Sequence, residues 1–135
     1  MRRDISILVV DAEQVLREVL LRILGMEGYA VDTAADGEEA LEKLRLNRYH
    51  LLVCDIHLPR MNGFEMLRTV KHKYPDMAVI MMIAHGDSMA VKESLVLGAD
   101  EYITKPFKSF EVNLVVERAY WRLLSTRKPA GAERP

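Results

Sequence analysis

Short β-branched and aliphatic runs alternate along this chain with longer stretches whose apolar positions recur every three or four residues. Residues 5–10, Ile-Ser-Ile-Leu-Val-Val, are the first run and end at Asp11. Val15, Leu16, Val19, Leu20, Ile23 and Leu24 then recur in pairs four apart, the spacing of one helical face, and Gly28 stops that helix. Tyr29 to Ala34 reads as a second strand. Asp36-Gly37-Glu38-Glu39 reads as a capped helix start, with Ala40, Leu41 and Leu44 on its buried face. Leu51-Leu52-Val53-Cys54 is apolar throughout, as a strand covered on both sides should be, and it ends at Asp55.

Residues 56–63 form a loop with Pro59 and Gly63, and a third helix follows with Phe64, Leu67 and Val70 inward, closed by Pro75. Ala78 to Ile83 is the fourth strand, and Ser88 to Leu97 the fourth helix, stopped by Gly98. Tyr102-Ile103 is the centre of a short fifth strand, and a last helix spans about 109–125. Strands alternating with helices of ten to fifteen residues form right-handed βαβ units around a parallel sheet. The predicted fold class is therefore α/β, a five-stranded, doubly wound, flavodoxin-like sheet of order 2-1-3-4-5 with five helices. Residues 1–125 make one domain, and 126–135 are expected to be a disordered tail or linker.

Composition narrows the function without choosing it. A net charge of -1 gives no basic excess for a general nucleic-acid or membrane-surface role. The one cysteine, Cys54, has no partner, which suits a reduced, cytoplasmic protein. The longest apolar run, Met77 to Ala84, is far too short to span a bilayer, and the first residues lack the apolar stretch of a signal peptide.

Chemistry belongs beyond the carboxyl ends of such strands, near the switch point of the order. There strand one leads into Asp11-Ala12-Glu13, strand three ends in Asp55, strand four in Ile83-Ala84, and strand five leads into Lys105-Pro106. Three acids and one lysine converge on one rim. Clustered carboxylates resist ionising unless a cation is near; a lysine and a bound Mg²⁺ are the usual remedies, and together they suit phosphoryl transfer.

The segments Ile7–Glu13, Cys54–Glu65 and Tyr102–Phe107 resemble the receiver domains of bacterial two-component response regulators, and the resemblance covers residues 4–125. It implies that Asp55 accepts a phosphoryl group from a histidine kinase or phosphotransfer protein. It implies Lys105 as the phosphoryl-contacting cation, and Mg²⁺ held by Asp11, Asp55 and the backbone carbonyl of His57. Tyr102 falls at the switch aromatic of strand five, and the Lys105-Pro106 peptide at one that is cis in the family. Such a domain is not an enzyme beyond phosphotransfer and dephosphorylation on itself.

Two positions depart from the family pattern. Ala12 replaces the acid that contacts the metal directly, and Ile83 replaces the Thr or Ser that bonds the phosphoryl group. Glu13 is a weak substitute, because it should point into the start of the first helix. The expectation is inefficient phosphorylation, or alternatively a pseudo-receiver that acts as a phosphorylation-independent interaction module. A haloacid-dehalogenase-type phosphatase needs Asp-x-Asp on its first strand, and a flavodoxin-type binder a hydroxyl-rich loop there; neither is present. His57 reads as a solvent-facing residue and His85 as a loop residue near enough to the site to contact a phosphoryl group, and Met77, Met81 and Met82 read as core. Tyr120 and Trp121, left toward the edge of the last helix, suggest a homodimer through helix four, strand five and helix five.

Overall fold

A computed structural model describes residues 4–126 of the chain. The expected tail lies outside the described residues from 127 onward, as do residues 1–3. Ten elements alternate: β1 (Ser6–Val10), α1 (Gln14–Met26), β2 (Ala30–Ala34), α2 (Gly37–Leu46), β3 (Leu51–Asp55), α3 (Gly63–Lys73), β4 (Ala78–Ala84), α4 (Ser88–Val96), β5 (Glu101–Lys105) and α5 (Ser109–Thr126). All strand pairs are parallel, in the order β2-β1-β3-β4-β5. The fold class and the strand order are as expected.

Strand periodicity splits the core in two. Leu8, Val10, Leu52, Cys54, Val79, Met81 and Ile83 point toward α2, α3 and α4, where Ala40, Leu44, Met66, Leu67 and Val70 meet them. Their neighbours Ile7, Val9, Leu51, Val53, Ile80, Met82 and Ile103 meet Leu20 and Leu24 of α1 and Val112, Val116 and Ala119 of α5. Side chains alternate across a strand, so both faces of the central strands are apolar and both are covered. The helices start where the sequence offers acceptors. Asp36 caps α2 through the Glu39 N–H at 2.8 Å, and Asn62 and Glu65 form a reciprocal capping box on α3.

Two expectations about helix faces need correction. The apolar pairs of α1 are wider than the groove beneath them. Leu20 and Leu24 are fully buried and Ile23 packs beside them, but Val15 is 70% exposed and Val19 is also outside. Adjacent helical residues diverge by about 100°, so the Val15–Val19 part of the second line is left outside and only its Ile23 end reaches the core. On α5 the same step separates the two aromatics. Tyr120 packs against the core with its ring edge-on to His50 at 6.3 Å, whereas Trp121 is 60% exposed, on the line of exposed Phe110 and Leu114.

Charges fasten the outer elements. Buried Glu101 of β5 receives Arg118 at 2.8 Å and Arg122 at 2.5 Å, both from α5. Lys71 of α3 and the Val79 N–H share the Asp100 carboxylate, at 3.0 and 2.7 Å.

The turn after β3 depends on one glycine. The Gly63 N–H donates to Ile56 O at 2.7 Å, and a Cβ built on Gly63 would lie 2.2 Å from Asp55 O and 2.6 Å from Ile56 Cα. Backbone cannot yield as a side-chain tip can. Gly63→Ala should therefore cost about 3 kcal/mol or more, the upper end of overpacking penalties. Chemical denaturation of the two forms checks this; a loss below about 1 kcal/mol contradicts it.

Candidate acidic site at the switch point

The chain runs from β2, on one side of β1, across to β3 on the other, so β1 and β3 flank the switch point. Asp11 follows the last residue of β1 and Asp55 is the last residue of β3. The Lys105 ammonium, from the end of β5, lies 2.9 Å from Asp11 Oδ2 and 3.2 Å from Asp55 Oδ2. Asp11 is fully buried and Asp55 is 8% exposed. The remaining oxygens are also held: Asp11 Oδ1 accepts the Glu13 N–H at 2.8 Å, and Asp55 Oδ1 accepts the Ile56 N–H at 2.9 Å.

Electrostatics keep this trio poised. Burial pushes the Asp55 carboxyl above the usual carboxylate range and Asp11 adds to the rise, while Lys105 pulls it back. Burial also works against the Lys105 charge, but the hydrogen bond it donates to Asp11 and the two carboxylate charges outweigh it, so its pKa lies above the ordinary value. The thiol of Cys54, sealed beneath the site, is driven well above its usual range by burial, so it is inert there.

Asp55 and Lys105 open into a pocket of about 370 Å³ lined also by Ala12, Glu13, His57 and Ala84, with Asp11 buried behind them. A wider groove, about 480 Å³, lies at the opposite end of the sheet between the α2–β3 and α3–β4 connections, with no such acid pair. Of the residues singled out from sequence, Asp11, Asp55 and Lys105 meet directly, and Glu13 and His57 stand on the pocket rim with exposed side chains. Tyr102 is outside the pocket, facing away from the core in a separate groove beside Leu114 and Arg118. Ile83 is 1% exposed and packs in the half of the core shared with Ala90; the β4 residue on the pocket wall is Ala84. The Lys105-Pro106 peptide is cis. His85, an exposed loop residue, fastens the β4–α4 turn through its N–H to Lys105 O at 3.0 Å.

Sequence reasoning missed Arg17, whose Nη1 donates to Asp11 O at 2.7 Å. Ala84 was named only as the end of strand four, and its place on the pocket wall was not foreseen. A lone arginine one turn into a helix carries no local signal, and an alanine carries none at all.

The pattern described as the response regulator receiver domain matches residues 7–117. The chain belongs to this receiver family. Response regulator RR06 of Streptococcus pneumoniae is 42% identical over 102 residues, which are 76% of this chain and 46% of the relative. The alkaline phosphatase synthesis transcriptional regulatory protein PhoP of Bacillus subtilis is 39% identical over 112 residues, 83% of this chain and 47% of that protein. The receiver thus spans about half the length of these relatives. Among solved structures, the receiver domain of NtrX from Brucella abortus superposes with a TM-score of 0.82 at 35% identity, covering 85% of this chain and 98% of that one. The chemotaxis response regulator CheY4 of Vibrio cholerae gives 0.81 at 29%, with the same coverage.

Receiver domains of response regulators serve two-component signalling, interact with histidine kinases or phosphotransfer proteins, and are regulatory rather than classical enzymes. They generally bind Mg²⁺ at their acidic site. Mg²⁺ takes one or two carboxylates completed by water and phosphate oxygens, and Asp11 and Asp55 are two carboxylates on this rim, each also held by Lys105. Among the described residues, no group of three or more His, Cys, Asp or Glu is gathered to hold a metal. None of their helices is long and apolar enough to cross a membrane.

The raised Asp55 pKa has a consequence for stability. Its folded value lies above its unfolded one, so the contribution is complete below the unfolded value, about 3.9, and is lost as pH rises through the folded value. Asp55→Asn should therefore raise the melting temperature at pH 7 in metal-free buffer, with a gain that shrinks on acidification toward about pH 4. Melting curves of both forms across this range test it, and a gain that grows on acidification contradicts it.

Proposed function

We propose that this receiver accepts a phosphoryl group on Asp55 from a partner's phosphohistidine, slowly and with little dependence on metal. The observation that carries the reading is the Lys105 ammonium shared between Asp11 and Asp55. In the transfer, an Asp55 carboxylate oxygen forms the new O–P bond as the N–P bond breaks, and the electron pair stays on the partner's imidazole. Lys105 neutralises charge on the phosphoryl oxygens, and the near-complete burial of Asp55 limits competition from water. Asp11, Asp55 and the His57 carbonyl are the groups that would hold Mg²⁺, with Glu13 a weak addition. When bound, the ion neutralises the phosphoryl oxygens. Ala12 supplies no ligand, which supports a weak metal site and slow labelling.

A second reading, a pseudo-receiver acting without phosphorylation, is favoured by Ile83. Its side chain carries no hydroxyl and is packed into the core, so Tyr102 has no phosphoryl-linked partner to follow. Both readings share one output surface. Met89 and Val96 of α4, Tyr102 of β5 and Phe110, Leu114 and Trp121 of α5 are all exposed. Isolated exposed apolar residues are ordinary, but this many on neighbouring elements favour an interface. We assign it to a homodimer that forms irrespective of phosphorylation.

Acetyl phosphate with Mg²⁺ should add the mass of one phosphoryl group slowly, and Asp55→Asn should abolish the addition. Rapid labelling with a full Mg²⁺ requirement contradicts the first reading; no labelling leaves the second. Restoring both departures, Ala12→Asp with Ile83→Thr, should raise the rate by more than the product of the single effects, a coupling of about 1 kcal/mol. Ile83→Thr places a hydroxyl in the core, so the melting point is followed alongside.

The interface makes a separate forecast. Trp121→Ala should convert the dimer to monomer in light scattering, with or without the phosphodonor. Tyr120→Ala should instead leave the mass unchanged and lower stability by about 1–3 kcal/mol, as a packed residue does. A parent chain that is monomeric at high micromolar concentration ends the dimer proposal.

A further inference from the structure

Asp11 is fully buried, and each of its polar groups is engaged. Its N–H donates to Ala34 O at 3.1 Å, while its carboxylate accepts from the Glu13 N–H and from Lys105. The carbonyl oxygen lies beyond Val10, the last residue of β1, and a buried carbonyl in that position needs a donor. The residues just after it offer no side-chain donor. Ala12 has no polar side-chain atom, and Glu13, at the N-cap of α1, makes no side-chain capping bond. Arg17 fills the gap from one turn into α1, with Nη1 donating at 2.7 Å.

We infer that Arg17 is a positioning residue of the acidic site: by holding the Asp11 carbonyl it fixes the backbone that aims the Asp11 carboxylate at Lys105. A charged donor makes this bond stronger than an ordinary amide one. Arg17 does not line the acidic pocket. It borders a separate crevice between α1 and β2, beside Gln14, Glu18 and Thr33. It therefore touches no reactant and acts only through Asp11. Two cations of the chain, Arg17 on the backbone and Lys105 on the carboxylate, thereby order a connection to which position 12 adds nothing. The assignment rests on reading Asp11, Asp55 and Lys105 as one functional site, but it concerns the geometry of that site and can be tested without any phosphorylation.

The test is amide hydrogen exchange by NMR on the full chain, reading the Glu13 N–H bonded to Asp11 Oδ1. In Arg17→Met, which keeps length and loses the donor, Glu13 should exchange roughly tenfold faster, the loss of about one hydrogen bond. Leu52 and Val53 in the middle of β3 should be unchanged, and Arg17→Lys, which can still make a single charged bond, should restore most of the protection. An unchanged Glu13 amide, or one that accelerates only in step with Leu52 and Val53, overturns the assignment, since a general structural role moves all three together. In the labelling assay, Arg17→Met should lower the maximal rate and leave the half-saturating acetyl phosphate unchanged; a change in half-saturation alone also overturns it. A parent that takes no label removes the phospho-acceptor reading and leaves the exchange result to decide.

Discussion

One ammonium group stands between two buried carboxylates at the carboxyl edge of the sheet, and the rest of the structure is arranged so that it can. Lys105 reaches Asp11 and Asp55 at 2.9 and 3.2 Å from a strand that is not adjacent to either of theirs. Two carboxylates this close to one another are unstable as a charged pair without a cation. A lysine tethered to β5 supplies that cation permanently, at an effective concentration no free ion matches. The requirement also explains why the surrounding backbone is so fully engaged. Glu13, Ile56 and His85 each donate an N–H to a member of the trio.

Holding three strand ends in register is the work of the two-sided core. β1, β3 and β4 send alternate residues to α2–α4 and to α1 and α5, so neither face of the central strands is left to water. Burial of this kind is non-directional, so it makes the sheet without choosing which residues meet at its rim. Directed contacts finish the placement. Gly63 lets the loop after β3 close against Asp55, and the Lys71–Asp100 and Glu101–Arg118–Arg122 groups tie the α4–β5 end to its neighbours. Glu101 is buried with two arginines on it, so it is satisfied as long as α5 stays in place.

The outward faces of α4 and α5 are less complete. α4 buries Ala90 and Ser94, both small, and exposes Met89, Leu95 and Val96. Val91 packs only partly against the core, and the Ser94 hydroxyl is buried with no hydrogen-bond partner among the described residues. Such a helix is held weakly by its own core. It is the element most readily stabilised from outside, which supports the proposed homodimer surface.

How much of this was legible beforehand depended on range. Helix and strand periods are local properties, so the ten elements and the stops at Gly28 and Gly98 could be read from the chain, while the strand order came from the rules for βαβ sheets together with the family resemblance. The acids and lysine of the rim could be named as well, because each ends or follows a strand. That Asp11 and Lys105, 94 residues apart, share a hydrogen bond was fixed only by the sheet that brings their strands together. Finer choices belonged wholly to packing. Tyr120 turns inward to His50 while its neighbour Trp121 stays out; Ile83 enters the core while Ala84 walls the pocket; Val15 is left exposed on a face that looked buried. Arg17 gave no sign in the sequence of its place beside Asp11. The sequence by itself determined which elements form and which ionisable residues lie at their ends, because spacing along the chain sets both. Tertiary structure decided which side chains meet, because adjacent residues point in different directions and only the neighbouring element settles which direction is covered.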